Sequence, residues 1–255
     1  MIEPAQALSG FLVGSIVGLT GVGGGSLMTP ILVLLFGIHP ATAVGTDLLH
    51  AAITKTGGTY VHAKAGRVDW RITGLLAAGS LPAAALTIAG LHYLTGGVGD
   101  TKIITRTLAV ALLLTATALA LRPVLRRLSR TKELPRARHP AFTVLTGVAL
   151  GFLVSVSSAG AGALGVTALI FFYPHLKMGR VVASDLAHAV PLTLLAGLGH
   201  WLFGSVDWHL LLSLLVGSLP GIYLGSHFVG RVPELALRGL LAMVLVAVGI
   251  KLIAY

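Results

Sequence analysis

Apolar residues run through this chain in long stretches, parted by short polar links. Ile72–Tyr93, Ile103–Leu121, Leu210–Val229 and Leu235–Tyr255 each reach the roughly 20 residues that a helix needs to cross about 30 Å of hydrocarbon. Lipid offers backbone groups no partners, so such spans satisfy their own N–H and C=O groups as helices and gather into a bundle. The pattern predicts full spans at roughly 41–62, 70–95, 102–122, 178–202, 208–230 and 235–255. Two glycine-broken stretches, 7–38 and 142–174, are too long for one span. Each predicts two short helices that meet near the glycines and return to the side they entered from.

The two halves repeat one another. Asp47, His50 and Ala51 stand in register with Asp185, His188 and Ala189, and the same offset carries Val68-Asp69-Trp70 onto Val206-Asp207-Trp208 and Gly79-Ser80-Leu81-Pro82 onto Gly217-Ser218-Leu219-Pro220. With a one-residue gap, Gly14, Gly23 and Gly25 meet Gly151, Gly160 and Gly162. The chain therefore divides into a first transmembrane repeat (1–121), a basic cytoplasmic linker (122–140) and a second transmembrane repeat (141–255).

Charge sets the orientation of the halves. The link 62–71 carries Lys64, Arg67 and Arg71, whereas its counterpart near 200–208 carries no Lys or Arg; conversely 37–41 has none and 174–180 has Lys177 and Arg180. Positive charge is retained on the cytoplasmic side, so this swap predicts inverted repeats. With three full crossings and a re-entrant helical hairpin per half, 14 of the 18 Lys and Arg residues fall in cytoplasmic links: three in 62–71, seven in the linker, then Lys177, Arg180, Arg231 and Arg238. The fold class expected is thus all-α integral membrane, built from two inverted repeats.

Composition agrees. Only 10% of residues are charged and mean hydropathy is +0.92, where a soluble domain carries about 25% charged residues. The net charge of +10 reflects the inter-helix links and predicts no nucleic-acid partner. The 33 glycines and 11 prolines would argue against helix in water, but membrane helices tolerate both residues. There is no cysteine, hence no thiol chemistry or thiolate metal site. Met1–Gln6 lacks the basic region of a secretory signal, so the first apolar stretch is expected to be retained.

Two features are expensive in a bilayer and point to a site. The first is the pair of glycine runs, with Gly23, Gly24, Gly25 and Ser26 in one half and Ser157, Ser158, Gly160 and Gly162 in the other. Helices broken there expose backbone N–H groups at a positive dipole end, which favours an anion. Ser26, Thr29, Thr46, Ser157 and Ser158 add hydroxyls. Close packing through small residues is the competing account. The second feature is a set of ionisable residues inside predicted spans: Asp47, His50, Lys55, Asp185 and His188. Such groups cost several kcal/mol at mid-bilayer and face a cavity or one another. Asp and His at i, i+3 share a helix face and suit either a proton relay or carboxylate–imidazole metal ligation. Lys55, whose counterpart is Thr193, suits an ion pair with Asp47 or Asp185, or a contact with an anionic substrate. Asp69 and Asp207 read as N-caps beside interfacial Trp70 and Trp208.

The combination of a glycine run followed by Pro30, then Gly45-Thr46-Asp47-Leu48, then Gly66-Arg67-Val68-Asp69-Trp70, given twice over, resembles the sulfite exporter TauE/SafE family of bacterial membrane permeases. The resemblance runs from about residue 8 to the C-terminus. It implies movement of small sulfur-containing anions, such as sulfite, thiosulfate or organosulfonates, across the bacterial inner membrane, with export the favoured direction and the anion and the lipid bilayer as partners. Secondary transport is favoured because no phosphate-binding Gly-x-x-x-x-Gly-Lys-[Ser/Thr] loop occurs. Asp47 and Asp185 stand where the family usually has a small polar residue, and added carboxylates repel an anion unless they are protonated or paired with Lys55.

The expectation is therefore a secondary transporter, proton-coupled through Asp47, His50, Asp185 and His188. Its anion site comprises Gly23, Gly24, Gly25, Ser26, Thr29, Thr46, Lys55, Ser157, Ser158, Gly160 and Gly162, with no cofactor and no resident metal. A homo-oligomer is compatible with this. The alternative is a divalent metal-ion permease that uses the paired Asp and His residues as ligands, against which the charge of Lys55 counts. Neither Gly-x-Ser-x-Gly nor His-Glu-x-x-His occurs, so no enzyme is expected.

Overall fold

The computed structural model describes residues 3–20, 25–95, 101–131, 139–227 and 234–253, and among these every regular element is an α-helix. They are α1 (Pro4–Thr20), α2 (Gly25–Leu34), α3 (Pro40–Lys64), α4 (Trp70–Thr95), α5 (Thr101–Thr131), α6 (His139–Ser157), α7 (Leu164–Phe172), α8 (Met178–Leu202), α9 (Trp208–His227) and α10 (Glu234–Ile253). Each of the two broken stretches holds a helix pair, α1–α2 and α6–α7, in which α2 and α7 are short but α6, against expectation, is long enough to span. Five helices are long and apolar enough to cross a membrane: α4, α5, α6, α8 and α9. The sequence of α3 falls short of that apolarity because it carries Asp47, His50, Lys55, His62 and Lys64.

Local chemistry sets the boundaries. Pro40 opens α3 at its first turn, where a missing N–H costs nothing, and the His39 ring accepts from the Ala41 N–H at 3.3 Å. At the far end Gly66 takes φ +64°, and the corresponding Gly204 after α8 takes φ +76°; these left-handed turns favour glycine. Each leads to an aspartate cap: Asp69 Oδ1 accepts from the Ile72 N–H and Asp207 Oδ1 from the Leu210 N–H, at 3.3 and 3.0 Å. α5 continues as helix to Thr131, through the first part of the basic stretch that the sequence suggested as a linker; Lys132–Arg138 lie outside the described residues.

The halves are interleaved. α1 packs on α9, and its counterpart α6 packs on α4. Glycine makes both contacts close. Gly10 and Gly14 lie against the Leu214 and Ser218 backbone, and Gly217, Gly221 and Gly225 lie against Ala7, Phe11 and Ser15. In the other half Gly79 faces Val144, Gly147 faces Leu76 and Gly151 faces Ser80. Without a hydrophobic drive between helices in lipid, such small-residue contacts supply the packing. The ascending numbers show that α1 and α9 run in the same direction, as do α4 and α6.

At the centre α3 packs on α8, its own counterpart. Gly45 meets His200, Gly197 meets Leu49 and Gly58 meets Leu186, so these equivalent helices run in opposite directions. The core around them holds Val44, Leu48, Leu150, Val154, Leu192 and Ala196, all nearly inaccessible.

Candidate functional site

Broken helices, buried carboxylates and a buried lysine meet where α3 and α8 cross. Between α6 and α7 the chain passes through Ser158 at φ +54°, Gly160 at +102° and Gly162 at +107°. Ser158 is the only non-glycine residue with positive φ among those described, a conformation that side chains rarely adopt. It turns the Ser158 hydroxyl onto the other half of the molecule, where it donates to Asp47 Oδ2 at 2.9 Å. Thr29 Oγ1 donates to the same oxygen at 2.6 Å. Asp47 is fully buried, and its other oxygen, Oδ1, makes no hydrogen bond; His50 Nδ1 stands 3.7 Å from it.

The two histidines form reciprocal bridges between halves. His50 Nε2 meets Ser218 Oγ at 2.8 Å, and His188 Nε2 meets Ser80 Oγ at 2.7 Å. A second reciprocal pair joins the same surfaces: Thr46 Oγ1 accepts from the Asp207 N–H at 3.1 Å and Ser184 Oγ from the Asp69 N–H at 2.8 Å. Thr46 thus holds the start of α9 instead of pointing at the break. Ser157 is likewise turned to its own backbone, donating to Leu153 O at 2.6 Å and accepting from the Ala159 N–H.

Asp185 occupies a different setting from Asp47. It is 2% exposed, its carboxylate lies beside the Gly162 backbone, and Oδ1 lies against Gly165 in the first turn of α7, where any side chain would collide with it. Lys55 from α3 and Arg122 from α5 both act on it electrostatically. Lys55, 6% exposed, also acts on Asp47, yet it approaches neither carboxylate within ion-pair distance. Arg122, 4% exposed, donates to Met178 Sδ at 3.4 Å. Its burial is new: in the sequence it reads as one more linker cation, and only its place at the end of an apolar run hints otherwise.

Of the residues singled out from sequence, Thr29, Asp47, His50, Lys55, Ser158, Gly162, Asp185 and His188 gather around this crossing, with Gly160 in the break itself. Gly23 and Gly24 lie outside the described residues, as does the side chain of Ser26; Gly25 is the first residue of α2. Ser80 and Ser218 escaped notice as site residues, although their duplication at the same offset as the histidines was the signal for them. The metal-ligand arrangement is not assembled here: among the described residues no three His, Asp or Glu side chains come together.

The two pairs also differ in their surroundings. A space of about 10 Å³ lies beside His50, lined by Val13, Val17, Ala51 and Thr54, about the room one water needs. The matching positions around His188 include Leu150 and Leu192, which are larger than Val13 and Thr54 and buried in an apolar cluster. A larger groove of about 480 Å³ between α5, α6 and α7 is lined by Leu145, Leu153, Phe171 and Phe172; its apolar walls suit lipid chains and not an anion.

Comparison with known proteins places the chain. Residues 6–252 match the sulfite exporter TauE/SafE family. The probable membrane transporter protein YjnA of Bacillus subtilis is 39% identical over 250 residues, covering 96% of this chain and 98% of the relative. YdhB of the same organism, also described as a probable membrane transporter protein, is 29% identical over 95% of this chain and 97% of its own length. The probable membrane transporter protein MJ0441 of Methanocaldococcus jannaschii is 25% identical over 98% of this chain and 95% of its own. No solved structure matches significantly. This chain is a multi-pass bacterial membrane transporter and belongs to the sulfite exporter TauE/SafE family.

Proposed function

We propose that this transporter exports small sulfur-containing anions, such as sulfite or organosulfonates, from the cytoplasm in exchange with or alongside protons. One observation carries the reading: a helix break with left-handed backbone at Ser158, Gly160 and Gly162 lies beside two buried cations and two buried carboxylates inside a membrane bundle. Half-helix N-termini of this kind suit anionic groups, and buried ionisable residues in transporters mark substrate and proton paths. The family description supports the sulfur anion as substrate.

The halves act as inverted repeats in this proposal. Supporting it, α3 and α8 are equivalent in sequence yet run antiparallel where they touch. A two-fold relating them would lie across the helices, in the membrane plane, as inverted repeats require. Alternating access follows from rocking the two interleaved halves about their shared crossing.

Purified protein in proteoliposomes tests the reading. Labelled sulfite or isethionate should accumulate on the far side of the membrane and respond to an imposed pH gradient, whereas nickel and cobalt should not move. Metal transport without anion transport would replace this reading with the permease alternative.

A further inference from the structure

Asp185 is placed as an anion would be. Its carboxylate sits at the start of α7 against Gly165, beside the Gly162 backbone, and lies under the influence of Lys55 and Arg122. Only glycine at 165 leaves that room. Oδ1 is nevertheless without a hydrogen-bond partner in a residue that is 2% exposed, so the seat is occupied but not fully matched by this ligand. Asp47 differs: two hydroxyls hold it from Thr29 and Ser158. The sequence duplication therefore hides two unlike sites.

We propose that the Asp185 carboxylate is a tethered competitor occupying the substrate's own seat, and that a monovalent sulfur oxyanion or sulfonate displaces it as Asp185 takes up one proton. This deepens the anion-transport reading and rests on it. Charge balance selects the stoichiometry. Trading an ionised Asp185 for a bound monoanion beside a neutral Asp185 removes one negative charge and adds one, whatever Lys55, Arg122 and Asp47 carry. The exchange leaves the buried charge unchanged, which matters where each uncompensated charge is costly. The proton comes from the aqueous face the anion came from, and it returns to water when the carboxylate regains its seat and the anion leaves.

The charged groups around Asp185 are few. α3 contributes Lys55, α5 contributes Arg122, and α8 itself carries His188 one turn on; no charged side chain of α4, α6 or α7 is among the groups acting on Asp185. On the proposed topology Asp185 lies two turns into α8 from its cytoplasmic end, the side from which an exported anion enters. The Arg122 guanidinium thereby becomes a substrate-recognition group that the sequence had left among the linker cations.

Methanesulfonate is the probe, because it stays ionised across the working pH range. In the purified full chain its affinity should fall by up to about tenfold per pH unit at alkaline pH, the limit for one linked proton. Asp185→Asn should flatten that dependence and bind at least about tenfold more tightly at pH 8. Arg122→Gln should weaken binding about tenfold while keeping the slope. With unmodified protein in weak buffer, a pH indicator should report about one proton taken up per anion bound, a measurement that needs no variant to fold. Absence of proton uptake, or an Asp185→Asn protein that keeps the slope, overturns the tethered competitor and leaves anion transport standing. If neither methanesulfonate nor sulfite binds at any pH, both readings fall.

Discussion

Asp47 collects two hydroxyl donors on one oxygen while its other oxygen has none. Thr29 and Ser158 come from opposite halves, so this one carboxylate ties the α2 arm, the α6–α7 break and α3 together. Removing a donor from a buried acceptor costs about 1–3 kcal/mol. Thr29→Val should therefore lower the thermal midpoint of the detergent-solubilised protein, and Ser158→Ala should do so to a similar degree. A Thr29→Val protein that melts with the parent would show that water, and not Thr29, satisfies Asp47. The sequence located Asp47, His50, Asp185 and His188 because charge in an apolar span is conspicuous and because the duplication repeats it. It was silent on their partners. Ser80 and Ser218 stand in other spans, and nothing in a sequence says which spans touch.

Among the helices, glycine content divides into two uses that the sequence does not distinguish. In α4, Gly79 has Val144 O where its Cβ would be, while Gly74 on the same helix has nothing within 4 Å. Overpacking a tight contact costs roughly 1–3 kcal/mol. Gly79→Val should thus reduce the heat-resistant, monodisperse fraction on size-exclusion chromatography, and Gly74→Val should leave it close to the parent. Equal losses in the two variants would mean that helix propensity, not the α4–α6 contact, sets the cost. Helix boundaries were the more legible property at this scale. The expected spans at roughly 70–95 and 178–202 fall on α4 and α8, since glycine turns and aspartate caps are local devices. The end of α5 was less so, because a run of arginines reads as a solvated link whether or not it is helical.

For the molecule as a whole, the proposed opposed orientation of the halves predicts that corresponding links lie on opposite sides of the membrane. Arg67 and His209 are both exposed and lie in or beside such links. A membrane-impermeant thiol reagent added to intact cells should label His209→Cys and spare Arg67→Cys; labelling of both would mean parallel halves. Sequence alone determined that the chain is helical, membrane-embedded, duplicated and of this transporter family, because hydropathy, repeat offset and motif spacing are properties of the linear chain. The swapped basic links belong with these, since they are set by loop composition. Only the tertiary structure decided that α1 packs on α9 and α6 on α4, that Arg122 is buried, and that Asp47 and Asp185 have different partners. Those depend on which small-residue surfaces meet, and many glycine-bearing faces in this chain are equally able to meet. A duplicated sequence predicts duplicated sites; one lysine at 55 opposite a threonine at 193, and one arginine at 122, are enough to make the folded sites unlike.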